Sequence, residues 1–270
     1  MTTTMALQGE DLTLGYREGL VVHGVSLALP PRAVTALIGP NGSGKSTVLR
    51  ALARLQAVHS GRVSLGDDEG VVDAAPLSAR EFARRVTLLS QSRPHPSGLA
   101  VADVVAFGRH PHRRRFAPLG DADRGAIARA MELTGVAAMH DRPIDQLSGG
   151  ELQRVWLATC LAQDTGVVLL DEPTNHLDLR YQMETLDLVR ELADVHGTAV
   201  GVVLHDLNHA AAVADQVVLL QAGRVRAAGR PEDVLTSEHL SDAYGVPIQV
   251  DLDPLTDLLR IEARRRRVPV

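Results

Sequence analysis

The sequence predicts an α/β fold built on a mainly parallel sheet, with an antiparallel β portion at the N-terminus and a helical subdomain inserted into its middle. Three observations carry this expectation. Short apolar runs alternate with longer helical patterns, as strands joined by crossover helices do. Residues 33–38, 85–89, 167–170 and 199–204 are rich in Val, Ile and Leu without strict alternation, which suits strands covered on both faces. Between residues 92 and 147 the alternation breaks, first into a Pro- and Arg-rich stretch and then into helix.

Helices are expected over residues 46–55, 123–134, 151–162 and 180–194, with a small helical piece over 231–244. The division that follows is one domain over 1–270. Its core takes about 1–91 and 163–240, the helical subdomain about 92–162, and a C-terminal extension about 241–270. The basic run at 264–267 reads as a solvated, frayed tail.

Composition narrows the function classes. With 45% hydrophobic and 23% charged residues the chain is globular. A net charge of -5 gives no reason to expect a nucleic-acid partner, which would favour a basic balance. Cys160 is the only cysteine, so no internal disulfide can form. The first sixteen residues lack the basic n-region and apolar run of a signal peptide. The longest apolar stretches are far shorter than the roughly 20 residues that span a bilayer, so a membrane role would need a separate chain.

The phosphate chemistry is written in two places. Gly39-Pro-Asn-Gly-Ser-Gly-Lys-Ser-Thr47 follows a strand and opens a helix, in the P-loop register. Glycines let consecutive N–H groups turn inward toward phosphate oxygens, and the helix adds its positive end. Asn41, Gly42, Ser43, Gly44, Lys45, Ser46 and Thr47 are therefore expected around the phosphates of a nucleotide, with Lys45 between the β- and γ-phosphates and Ser46 on Mg²⁺. Lys45 is also the only lysine among 28 basic residues. The second place is Val167-Val-Leu-Leu-Asp-Glu-Pro173, an apolar strand with two carboxylates at its tip. Asp171 suits the metal, and Glu172, one residue on, suits a base that polarises the attacking water.

Leu147-Ser-Gly-Gly-Glu-Leu-Gln-Arg154 resembles the signature motif of ABC ATPases. The resemblance runs from about residue 7 to 247 and implies a RecA-like P-loop NTPase core. It implies that Ser148, Gly149 and Gly150 meet the γ-phosphate of ATP held by a second copy, in a two-fold ATP-sandwich homodimer. It further implies that Gln91 touches Mg²⁺ or water, that His205 contacts the γ-phosphate, that Asp178 in Asn175-His-Leu-Asp178 reaches across the dimer, and that Tyr16 stacks on adenine. Cofactors would be ATP and Mg²⁺, with Ser46, Gln91 and Asp171 on the metal and Lys45, Gln91, Glu172 and His205 at the chemistry.

Within that family the chain resembles importer ATPases serving iron–siderophore, haem and cobalamin permeases. Phe107-Gly-Arg-His-Pro-His112, Asp171-Glu-Pro-Thr-Asn-His-Leu-Asp178, Val203-Leu-His-Asp-Leu-Asn-His209 and Tyr244-Gly-Val-Pro247 carry this likeness. It implies transmembrane permease subunits as partners, an extracytoplasmic substrate-binding protein indirectly, and a place on the cytoplasmic face of the inner membrane. Ferric siderophore comes first among cargoes, then haem, then cobalamin. His110 with His112, and His205 with His209, lack the further ligands of a metal site. The first pair is expected near the permease contact, and the arginines at 113–115 on a solvated face. A non-transport iron–sulfur assembly ATPase is the competing class.

Overall fold

The structure is a computed structural model and describes residues 6–17, 19–67, 70–91, 96–113, 118–175, 177–254 and 256–264. His176, Arg114, Arg115 and the tail beyond Arg264 lie outside the described residues. The chain opens with two antiparallel strands, β1 (Leu7–Tyr16) and β2 (Gly19–Leu29), and enters the expected β3 (Ala33–Ile38) and α1 (Lys45–Leu52). Next come β4 (Val58–Asp67), β5 (Gly70–Asp73), α2 (Ala79–Ala83) and β6 (Val86–Leu89). Helices α3 (Val101–Ala106), α4 (Asp121–Leu133) and α5 (Gly149–Ala162) fill the middle. The chain then returns through β7 (Val167–Asp171), α6 (Leu179–Asp194), β8 (Ala199–Val203), α7 (Leu207–Val213), β9 (Gln216–Gln221) and β10 (Arg224–Gly229). It closes with α8 (Pro231–Val234), α9 (Ser237–Tyr244) and a hairpin of β11 (Ile248–Leu252) and β12 (Leu259–Ala263).

The six-stranded sheet runs β10-β9-β3-β8-β7-β6, parallel except for β10 at its edge. A separate antiparallel sheet of order β2-β1-β4-β5 is the expected N-terminal β portion. Strands β7 and β8 are buried at every position, which is why they read as continuous apolar runs. One apolar core packs α6, α7 and the C-terminal elements against one side of the parallel sheet. A second packs α1 and the antiparallel sheet against the other side, and a third joins α3, α4 and α5. Among the described residues no helix is long and apolar enough to cross a membrane.

Several boundaries differ from the sequence reading, each for a local reason. Helix α1 stops at Leu52 rather than 55 because Arg54 adopts φ 57, a left-handed turn. The N–H of Leu55 then closes on the Arg50 carbonyl at 2.8 Å, the six-to-one bond of a Schellman cap. A non-glycine residue holds that conformation because its guanidinium stacks 5.1 Å over the Phe82 ring and donates to the Leu77 carbonyl at 2.8 Å. Helix α4 starts at Asp121, two residues early, where the Asp123 carboxylate accepts the Gly120 N–H at 3.1 Å. Helix α5 starts at Gly149, so both signature glycines lie inside its first turn. The sequence reading also had no strands in the β9–β12 stretch.

Within the motif Phe107-Gly-Arg-His-Pro-His112, Gly108 and Arg109 are buried while Phe107 and His110 stay exposed. A Cβ on Gly108 would lie 2.1 Å from the Thr159 carbonyl of α5, so the backbones touch only through glycine. Arg109 is buried. Its Nε donates to Asp123 at 2.9 Å and its Nη1 to the Ala162 carbonyl at 2.8 Å, tying the turn to both α4 and α5. His112 Nε2 lies 2.7 Å from the Gln163 carbonyl. Arg113 is half-buried, not on the solvated face expected of it.

The Arg109 guanidinium holds the Asp123 carboxyl below its ordinary value of 3.8. A depressed carboxylate contributes stability above that value and loses it as pH falls through the folded pKa. Asp123→Asn is expected to cost about 3 kcal/mol at pH 7 by leaving a buried guanidinium without its charge partner. Chemical denaturation should show the gap to the parent protein shrinking below about pH 4. An equal cost at every pH would mean that the ion pair contributes nothing beyond shape.

Candidate functional site

Neighbouring strands of the parallel sheet run the same way, so the carboxyl ends of β3, β8, β7 and β6 share one edge. In register Leu37 pairs with Val203, Asp171 with Val203, and Leu89 with Leu170. The chain leaves these ends into four segments that carry Gly39–Thr47, His205, Glu172 and Gln91. Ligands of open α/β sheets sit at this edge.

The cradle begins at Gly39, where φ is 140 and an added Cβ would lie 2.0 Å from the Leu220 carbonyl of β9. Only glycine lets the loop leave β3 there. Asn41 and Gly42 are exposed, whereas Ser43, Gly44, Lys45 and Thr47 are buried. The Lys45 ammonium, 5% exposed, folds back to donate to the carbonyls of Gly39 at 2.8 Å and Pro40 at 2.9 Å. Burial lowers its pKa, and the nearby charges of Glu172 and Asp171 oppose that. Ser43 Oγ is buried without a hydrogen-bond partner.

Asp171 has no exposed surface. Its Oδ1 accepts the Ser46 hydroxyl at 2.7 Å, and its Oδ2 is buried with no partner. Burial pushes this carboxyl up, against the Ser46 hydrogen bond. Glu172 follows with φ 56, a left-handed backbone that a non-glycine residue adopts at a cost of about 1 kcal/mol or more. That turn swings its carboxylate into reach of three donors. Gln91 Nε2 lies 2.6 Å and Asn175 Nδ2 2.5 Å from Oε2, and His205 Nε2 lies 2.5 Å from Oε1. Gln91, Glu172 and His205, chosen from sequence, thus meet in one network. Asn175 is a member that sequence reasoning quoted within a motif but gave no role. Its position three residues after Glu172, in the same turn, was the available signal.

Tyr16, at the end of β1, is 51% exposed, and its hydroxyl lies 3.3 Å from Thr47 Oγ1. It stands as an open aromatic face beside the cradle. Ser148, Gly149, Gly150 and Asp178 are elsewhere: among the described residues no hydrogen bond joins them to the cradle. Ser148 caps α5, accepting the Glu151 N–H at 3.3 Å while Glu151 accepts the Ser148 N–H at 2.8 Å. Asp178 caps α6 by accepting the Tyr181 N–H at 3.0 Å. These two helix starts are neighbours, since a Cβ on Gly150 would lie 3.5 Å from Leu177 and 3.8 Å from Tyr181. The Arg154 guanidinium stacks 4.4 Å over the Tyr181 ring and joins α5 to α6.

The chain therefore carries two clusters: a glycine-rich loop with two carboxylates beside it, and a separate exposed pair of helix N-termini, one capped by Ser148 and the other by the Asp178 carboxylate. The ABC transporter family profile matches residues 22–175. The chain is 41% identical to the ferric enterobactin transport ATP-binding protein of Escherichia coli (strain K12), over 94% of this chain and 93% of that protein. It is 44% identical to the hemin import ATP-binding protein of Rhodococcus jostii (strain RHA1), over 97% of this chain and 87% of that protein. Among solved structures it superposes on an inward-facing ABC transporter assigned to the metal-chelate type, with a TM-score of 0.83 and 25% identity, covering 97% of this chain and 98% of that one.

A carboxylate buried with one oxygen unpartnered destabilises the empty protein. Asp171→Asn is therefore expected to raise the stability of the nucleotide-free chain at pH 7 by about 1 kcal/mol, the order of a single favourable substitution. Calorimetry of the empty protein measures it. A fall in melting temperature would show that the ionised carboxylate is already satisfied without ligand.

Proposed function

The chain belongs to the ABC transporter family and is an ATP hydrolase; from that premise we propose that it powers an importer for a ferric siderophore through separate transmembrane permease subunits. The observation that carries the ATPase half of this reading is the network of Gln91, His205 and Asn175 on Glu172, set beside Asp171 and the cradle. The iron half rests on the two iron-related relatives and the metal-chelate structural neighbour. Haem is the second reading, favoured by the 44% identity to a hemin import protein.

In the proposed mechanism the cradle amides of residues 41–47 receive the phosphates of ATP. Lys45 exchanges its two loop carbonyls for the β- and γ-phosphate oxygens. Tyr16 offers its exposed ring to the adenine, a stacking worth about 1–3 kcal/mol. Asp171, Ser46 and the amide oxygen of Gln91 are oxygen donors, which suits Mg²⁺, and the partnerless Oδ2 of Asp171 is the free position such an ion would fill. Magnesium held by these oxygens would neutralise charge on the transferring phosphate. Glu172 polarises the attacking water. Its oxygens are engaged by three N–H donors, so it acts once His205 and Gln91 turn toward the phosphate side.

The second cluster supports a dimer. Ser148–Gly150 and Asp178 have no hydrogen bond to the cradle of their own chain, so they serve the nucleotide of a second copy related by a two-fold axis. Residues 92–162 act as the subdomain that presents this signature, about 1–91 and 163–240 as the core, and about 241–270 as an extension. The assembly works at the cytoplasmic face of the inner membrane, with an extracytoplasmic substrate-binding protein delivering cargo.

Glu172→Gln is expected to keep Mg-ATP binding, lose hydrolysis by at least a hundredfold, and accumulate as an ATP-bound dimer on size exclusion. Turnover near that of the parent would remove Glu172 from the role. For cargo, deletion of the gene should abolish uptake of radiolabelled ferric siderophore. Loss of haem uptake with siderophore uptake intact would decide for the second reading.

A further inference from the structure

The motif Tyr244-Gly-Val-Pro247 has no part in the mechanism above, yet its first residue reaches the cradle. Tyr244 ends α9, and Gly245 reverses the chain there with φ 69. The Tyr244 hydroxyl accepts the N–H of Gly39 at 3.1 Å, across 205 residues of sequence. Gly39 is the residue whose carbonyl takes the Lys45 ammonium at 2.8 Å. The N–H of this residue is thus held by Tyr244 and its C=O by Lys45. Position 39 is also where the backbone passes so close to β9 that no side chain fits.

The helix that presents Tyr244 is fixed on several sides. Arg226 pairs with Asp242 at 3.0 Å, and Gln221 donates to the Asp242 carbonyl at 3.2 Å. Ser241 Oγ accepts the Ile248 N–H at 2.9 Å, and Ser237 Oγ accepts that of Val250 at 2.9 Å. The far strand β12 is gripped by Asn208 of α7, which accepts the Ile261 N–H at 2.9 Å and donates to the Ile261 carbonyl at 3.2 Å. Helix α7 starts two residues after His205. The C-terminal elements therefore touch both the first residue of the cradle and the helix behind His205. A phenol pushed up by burial remains a neutral hydroxyl near pH 7 and keeps its acceptor oxygen.

We propose that Tyr244 is a positioning residue for the nucleotide site: its hydroxyl holds the Ile38–Gly39 peptide unit and thereby the φ of Gly39, and with it the direction of the Gly39 carbonyl, the loop amides and the Lys45 ammonium, in the arrangement that receives phosphate. An N–H left in place without its acceptor drives the peptide to reorient toward another partner. That N–H lies in the Ile38–Gly39 peptide unit, which joins through the Gly39 Cα to the Gly39–Pro40 unit whose carbonyl holds Lys45; a change of φ at Gly39 redirects that carbonyl, so the cradle loses its preorganisation and nucleotide affinity falls. The inference rests on the reading of residues 39–47 as the nucleotide site.

The test is equilibrium binding of Mg-ATP to the purified full-length chain, below the melting temperature of every variant, together with kcat and KM. Tyr244→Phe keeps the ring and removes only the hydroxyl. It is expected to weaken Mg-ATP binding and raise KM by three- to tenfold, with kcat changed less than twofold. Ile248→Val trims the apolar packing of the same C-terminal elements and should lower the melting temperature while leaving Kd unchanged. Parent-like Kd and KM for Tyr244→Phe would overturn the inference. So would an equal loss of affinity in Ile248→Val, which would reduce Tyr244 to general stability. Lys45→Ala separates the two readings. If it binds Mg-ATP as the parent does, residues 39–47 are not the nucleotide site and both readings fall. If it loses binding while Tyr244→Phe does not, only the role of Tyr244 is lost.

Discussion

A carboxylate with no exposed surface sets the terms for the rest of the molecule. Asp171 stands at the tip of β7, an apolar strand covered on both faces, and one of its two oxygens has no protein partner. Ionised carboxylates are rarely left this way because burial without pairing is costly. The arrangement persists because the rest of the fold leaves no alternative. Strand β7 lies between β8 and β6 with every residue buried, so it cannot shift. The single satisfied oxygen, Oδ1, accepts the hydroxyl of Ser46, which is placed by a loop that only glycine lets leave β3. The strand order, the loop after β3 and the burial all converge on one oxygen without a protein partner.

Glu172 shows a second form of stored cost. A left-handed backbone at a residue with a full side chain is unfavourable, and here it turns the chain so that two adjacent residues on one strand end point into different surroundings. Asp171 faces the dry interior beside Ser46. Glu172 faces a ring of side-chain amide and imidazole donors. Two carboxylates one residue apart thus have separate environments because one backbone angle turns them apart. The Pro173 carbonyl that follows is held by Gln153 of α5, so the signature helix is tied directly to the turn that sets this angle.

Much of this was legible in the sequence because it depends on local pattern. Strand β3 appears at its expected limits, and β6, β7 and β8 within a residue of theirs, since strands buried on both faces leave an unbroken apolar record. Gln91, Glu172 and His205 could be paired from their positions at strand ends. What escaped has a different physical character. Strand β10 alternates exposed and half-buried residues, and the β11–β12 hairpin is short and mostly exposed, so neither writes a strong pattern. The left-handed Arg54 that ends α1 depends on a ring 28 residues away. Phe107-Gly-Arg-His-Pro-His112 carries a family likeness in sequence, but the roles of two of its residues leave no local pattern. Its glycine and arginine serve a close backbone approach and a buried ion pair, both visible only once α4 and α5 are placed. The contact from Tyr244 to Gly39 joins opposite ends of the chain and has no local trace.

The charge chemistry of the chain explains why one position alone escaped its preference for arginine. Where arginine is buried, as at Arg109, it spans two acceptors on different helices at once, a carboxylate and a carbonyl. A planar fork of fixed spacing suits that bridging task. Lys45 meets the opposite geometry. Its two acceptors are carbonyls of consecutive residues, both within 3 Å of a single nitrogen and close to the backbone that the side chain leaves. A guanidinium would need acceptors spread in a plane, and the loop offers two that converge on a point. An ammonium can also rotate its donors between converging acceptors without moving the loop, whereas a fork would have to swing as a rigid plate through a loop lined by backbone. Compactness, not charge, is what position 45 selects.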